Sequence, residues 1–228
     1  MAEPTPKSSG PSTLRSGFET VHAVAAGLWL GALVMAGATA GLLFTHMRTL
    51  DPAFGVFENY AGDQSNIGAG FLQNRVFLAL DFVQYGSATL ALFATIGIIV
   101  LCKLPIRRAS SVVRLLALGS AMILVSYHLF VLTPRMQENA QQYWSAAEAG
   151  ENESAATAYA AFDADHPRAR QTLMGLTVAV LALLASGAWS AASSAGERPD
   201  PPTTPRSGPR TKANGREEPR LASRGGRS

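Results

Sequence analysis

Apolar and polar positions divide the chain into four long apolar runs separated by polar stretches. The first, Ala23 to Phe44 (AVAAGLWLGALVMAGATAGLLF), carries no charged residue. The second runs from Val76 to Cys102 and is interrupted by Asp81 and Gln84. The third covers Val112 to Leu132, with Arg114 near its start and His128 near its end; the fourth, Leu173 to Ala192, is again uncharged. A helix needs about 20 mostly apolar residues to cross a bilayer. The pattern therefore predicts an all-α integral membrane four-helix bundle, with spans at about 21–45, 76–102, 111–133 and 169–193. Short connections make consecutive spans antiparallel neighbours, so the expected order is up-down-up-down.

The connecting segments have their own patterns. Between spans three and four, MQENAQQYWSAAEAG and NESAATAYAAFDA are rich in Ala, Glu and Gln, which favour helix. Gly150 between them is a stop signal, so a helical arm of two segments is expected to stand outside the membrane. Asp165 is placed to cap the last span, with Pro167 in its first turn. In the first loop, about His46 to Arg75, the spacing of Phe54, Phe57 and Tyr60 predicts a short helix lying at the headgroup level. Small residues at Gly27/Gly31, Gly37/Gly41, Gly175/Ala179 and Ala182/Ser186 predict close helix approach. Residues 17–196 form the membrane domain in this reading. The tails 1–16 and 197–228 have too few apolar residues to bury and are expected to be disordered.

Charge then orients the bundle. The two tails and the loop between spans two and three carry 14 Lys and Arg, the other two loops 5. Cationic segments stay cytoplasmic, so both termini are expected inside, with the arm on the extracytoplasmic side of the inner membrane. The first apolar run is too long for a signal-peptide core and follows a polar leader, so it is expected to stay as a span. The lone Cys102 gives no disulfide framework. The basic C-terminal tail has no interleaved aromatics, which argues against a nucleic-acid partner; its partner is the bilayer, with a membrane protein or a second copy as further candidates.

Depth along the spans brings the polar residues into two groups. Asp81 lies about five residues, or ~8 Å, below the arm-side surface, with Gln84 one turn further and Tyr85 on the same side. His128 lies ~6 Å below that surface. With Arg135, His46 and His166 these form one predicted polar layer; His22 and Arg114 mark the opposite end. A carboxylate in lipid costs several kcal/mol unless paired, so Asp81 should face the bundle and meet His128 or Arg135. Three uses of the layer stand open: a structural ion pair, a polar cavity for a small solute or ion, or a haem or copper site on His46, His128 and His166. No cofactor is required by any motif. Phosphate loops, nucleophile elbows and HExxH are absent, so no enzyme activity is predicted.

His22 with GLWLG, LTPRM (Leu132 to Met136) and FDADH (Phe162 to His166) resemble motifs of the transmembrane protein 205-like family, whose core is a four-span domain of unknown function. The resemblance covers about residues 20–190 and implies four spans, a polar loop before the last, and interest in His22, Trp29, Gly31, Pro134, Arg135 and His166. Ala169 stands where that family usually has Ser, and the last span is entered through an Arg-rich stretch.

The orientation is testable. Reporter fusions at Gly196 and Gly150 should read cytoplasm and exterior respectively; both on one side would overturn the four-span topology.

Overall fold

The computed structural model describes residues 11–103 and 106–196. It contains α1 (Pro11–Leu50), α2 (Gln64–Val100), α3 (Ala109–Tyr127), α4 (Thr133–Glu148) and α5 (Asn152–Gly196). A 3-10 turn occupies Gly55–Phe57, and a π-helical turn, His128–Leu132, joins α3 to α4 without a break. The described residues include four helical rods long and apolar enough to cross a membrane, α3 and α4 forming one of them, and no strand. That composition is compatible with an integral membrane protein.

The rods are longer than the apolar runs. α1 has 40 residues, which is about 60 Å at ~1.5 Å per residue, against a hydrocarbon core of ~30 Å. It begins at Pro11, so residues 11–16 are helical rather than disordered. The rest of that tail, 1–10, and the tail 197–228 lie outside the described residues. α2 begins at Gln64, where Asp63 caps it by accepting from the Asn66 N–H at 3.0 Å.

α1 packs along α2, α3 and α4 pack along α5, and α1 also meets α5. α2 and α3 approach much less closely, although a short connection joins them. This corrects the expectation that the second and third spans pack as neighbours. Side chains rather than backbones bridge them, as described below. The core between the helices is built from small and branched residues: Ala25, Ala26, Ala91, Ala117 and Ala121 with Trp29, Leu118, Leu176, Val180 and Leu183. Outward faces are apolar and bare, with Phe82 81% exposed and Phe130 71% exposed. In lipid such faces carry no penalty, so association relies on close contact of small residues.

The glycine pairs of the first span do not provide that contact. A Cβ built on Gly27, Gly31, Gly37 or Gly41 meets nothing within 4 Å, so no neighbouring helix packs against these positions, and Gly37 borders the cavity described below. Close approach falls instead at Gly187, where a Cβ would stand 3.3 Å from His22 Nδ1.

At one end α4 and the start of α5 form a helical hairpin whose turn uses Gly150 at φ +74°, a conformation open to glycine. The loop before α2 folds over this turn. The Ala61 N–H donates to Asn152 Oδ1 at 2.8 Å, and the Tyr60 and Tyr143 hydroxyls share a 2.9 Å hydrogen bond. Phe57 is buried with Ile67, Tyr143 and Ala147. The predicted headgroup helix is thus reduced to a 3-10 turn, and its rings bury against the hairpin, which offers them protein contacts instead of headgroups.

Asp165 is not a cap. It lies inside α5, which continues through Pro167 at the cost of one helical hydrogen bond to the Asp163 carbonyl. Its carboxylate, 4% exposed, accepts from Arg135 Nε and Nη2, both at 2.6 Å, and from Arg168 Nη1 at 3.4 Å. Arg135 therefore ties α4 to α5 and does not reach Asp81. Arg135→Ala leaves a buried carboxylate with its weaker partner and should cost about 1–3 kcal/mol. The expected readout is a lower melting temperature in detergent, with Arg168→Ala shifting it far less.

Candidate functional site

Asp81 and His128 meet near the hairpin end of the bundle. Asp81 Oδ1 accepts from Gln84 Nε2 at 3.2 Å, and Thr133 Oγ1 donates to its Oδ2 at 3.5 Å. His128 Nε2 stands 3.3 Å from Oδ1, an ion-pair distance. Neither ring nitrogen of His128 is aligned for a hydrogen bond, although the side chain is buried.

The π turn explains how two residues of one rod reach one carboxylate. In a regular α-helix, residues five apart point about 140° away from each other. The Thr133 N–H bonds the His128 carbonyl, a spacing of five, so the turn is widened and both side chains face Asp81.

Beside this pair lies a cavity of about 670 Å³ between α1, α2, α4 and α5. That volume falls in the ~300–1,000 Å³ range of small-molecule sites. Its polar surface includes Asp81, His128 and Gln73, and its walls include Leu33, Ala36, Phe77, Leu80 and Met136. Gln73 Nε2 donates to the Ala36 carbonyl at 3.3 Å, while its buried Oε1 has no partner. Asn74 and Gln137 are hydrogen-bonded across the same gap, and Phe71 meets Trp144 edge-on at 5.2 Å.

The predicted polar layer is thus only partly assembled. Asp81, Gln84 and His128 come together. His46 is exposed, its Nδ1 2.9 Å from the Leu42 carbonyl on its own helix. His166 lies at the cavity margin, half exposed, 4.5 Å from the Phe162 ring and 3.9 Å from Asp163 Oδ1. Tyr85, expected on the same side as Asp81, points outward and is 64% exposed. Among the described residues no group of three or more His, Cys, Asp or Glu is arranged to hold a metal.

At the opposite end, Arg114 and His22 are both fully buried. Arg114 donates in bidentate fashion to Glu19, Nη1 to Oε1 at 3.2 Å and Nη2 to Oε2 at 2.8 Å. The His22 ring fits into the space left by the missing side chain of Gly187, and neither of its nitrogens has a partner. A void of about 10 Å³ beside Thr95, Ser111 and Arg114 is water-sized.

Glu19, Gln73, Thr133 and the partnership of Asp165 were not identified from sequence. Glu19 had a readable signal, since it lies three residues before His22 on one helical face. Gln73 and Thr133 had none, because they sit outside the apolar runs and are placed only by the extended helices and the π turn.

No family model, curated protein or solved structure matches this chain.

Glu19→Ala would leave the Arg114 guanidinium buried and unpaired, a loss of about 3–5 kcal/mol. Adding Arg114→Leu should restore much of it, so the double variant is expected to melt above Glu19→Ala alone. Equal melting of the single and double variants would show that the pair is not coupled.

Proposed function

We propose that this is a multi-pass inner-membrane protein that binds a small molecule in the cavity beside Asp81 and His128, on the outer side of the bilayer. One observation carries the reading. The Asp81–His128 pair stands at the wall of a cavity of about 670 Å³ that is otherwise lined there by Leu33, Ala36, Phe77 and Leu80. A largely apolar cavity of that size with a few convergent polar groups on its wall has the make-up of a small-molecule site. Asp81, held by Gln84 and Thr133, is the natural orienter of the His128 imidazole.

The orientation with the cavity outermost rests on the cation asymmetry of the loops. A solute site is favoured over haem or copper ligation because His46 is bound to its own helix and the three histidines do not gather. The likeness to the transmembrane protein 205-like family is part of the same proposal. Trp29 and His22 are buried in the bundle, and the LTPRM segment supplies Thr133 to Asp81 and Arg135 to Asp165.

The test is native mass spectrometry of protein extracted with its surrounding lipid. The wild type should carry a discrete small-molecule mass that Asp81→Asn loses while keeping the wild-type melting temperature. Asn keeps one oxygen to accept from Gln84, and its amide N–H can donate to the Thr133 hydroxyl, so Asp81→Asn removes charge with little loss of fold. A wild type without such a mass, or an Asp81→Asn variant that retains it, would overturn the proposal.

A further inference from the structure

The cavity is lined by two arginines and two carboxylates, which differ in what they already hold. Asp81 accepts from Gln84 and Thr133 and faces His128, and Asp163 Oδ1 lies 3.9 Å from His166 Nδ1. Arg48 and Arg170 make no hydrogen bond or ion pair among the described residues. Other arginines are engaged: Arg114 bonds Glu19, Arg135 and Arg168 bond Asp165, and Arg75 sits over the Phe71 ring.

The two unengaged arginines come from different helices and tilt toward each other. α1 and α5 run in opposite directions, with His22 of α1 against Gly187 of α5. Counted outward from that contact at ~1.5 Å per residue, Arg170 lies at ~26 Å, His166 at ~32 Å and Arg48 at ~39 Å. Side chains on a helix tilt toward its N-terminus, so Arg48 tilts inward while His166 and Arg170 tilt outward. His166 and Arg170, four residues apart, share one face of α5. The three basic side chains thus converge on one stretch of the cavity, and all three are exposed to an arriving ligand. Across from them Asn74 and Gln137 are neutral and bonded to each other.

Inward of this collar the walls change character. Leu33, Ala36, Phe77, Leu80, Leu173 and Met174 line the cavity there, and the charge among them is the Asp81 carboxylate already turned to His128.

Resting on the binding role proposed above, we infer that the ligand is a single-tailed anionic amphiphile. Its carboxylate or phosphate head is held by Arg48, His166 and Arg170, and its apolar tail lies inward among Leu33, Phe77, Leu80 and Met174. The head is anionic because charge-assisted hydrogen bonds are the strong ones, and a guanidinium matches carboxylate and phosphate oxygens two at a time. The tail is apolar because a polar one would lose its hydration against those walls without compensation. One tail is enough to fill a cavity of about 670 Å³, the size of a small-molecule site.

Radiolabelled decyl phosphate is the probe, in equilibrium binding to the protein in phosphatidylcholine nanodiscs, with empty nanodiscs subtracted. The wild type should show one saturable site. Arg48→Gln combined with Arg170→Gln should weaken it by roughly tenfold or more. That double variant should keep the wild-type melting temperature, because neither side chain has a described partner to lose. Arg75→Gln removes a cation that does not line the cavity and should leave binding unchanged. Decanoate should compete. Decanol, decyltrimethylammonium, inorganic phosphate and phosphatidylglycerol placed in the discs should not.

The failures are distinguishable. Equal competition by decanol or decyltrimethylammonium, unchanged binding by the double arginine variant, or an equal loss in Arg75→Gln overturns the anionic head while the binding cavity stands. Equal competition by inorganic phosphate overturns the tail, and displacement by phosphatidylglycerol overturns the single chain. No saturable decyl phosphate binding to a wild type that carries a native small-molecule mass overturns this ligand and leaves the binding role. Absence of that mass as well removes the role itself.

Discussion

A carboxylate among apolar side chains needs partners, and Asp81 finds them across a gap rather than inside a packed interface. Its contacts to His128 and Thr133 hold α2 to the α3–α4 rod while the backbones stay apart. The Asn74–Gln137 and Tyr60–Tyr143 bonds continue this arrangement toward the hairpin. Helices joined by long side chains cannot close on each other as helices joined by alanines do. The cavity is the space that this polar seam keeps open.

The two ends of the bundle show the contrast. Near His22 and Arg114 the helices come close, Gly187 admits the histidine ring, and the guanidinium is held in both directions by Glu19. A water-sized void lies there. Near Asp81 polar groups surround a space large enough for a ligand. Polarity alone therefore does not distinguish a lock from a site. Packing around it does.

The π turn is a small change with a large effect. One widened turn brings His128 and Thr133 to the same side of the rod, and the helix continues without a break into α4, where Arg135 engages Asp165. A regular helix through the same residues would present one of the two to Asp81 and turn the other away. Such turns often occur where a side chain must be aimed, and this one aims two.

Four apolar runs, the helical hairpin and the stop at Gly150 were all legible in the sequence, because span length and residue composition act locally. So was the meeting of Asp81 with His128, since depth along a helix follows from residue count and a buried carboxylate demands a partner. The tertiary structure alone decided which helices pack together, that no helix packs against the paired glycines of the first span, and that Arg135 answers Asp165 instead of Asp81. It also decided that the loop aromatics bury on the hairpin and that a cavity lies beside His128. Rotation about a helix axis and the distance between rods depend on every contact along them. No local pattern encodes the space they leave between them.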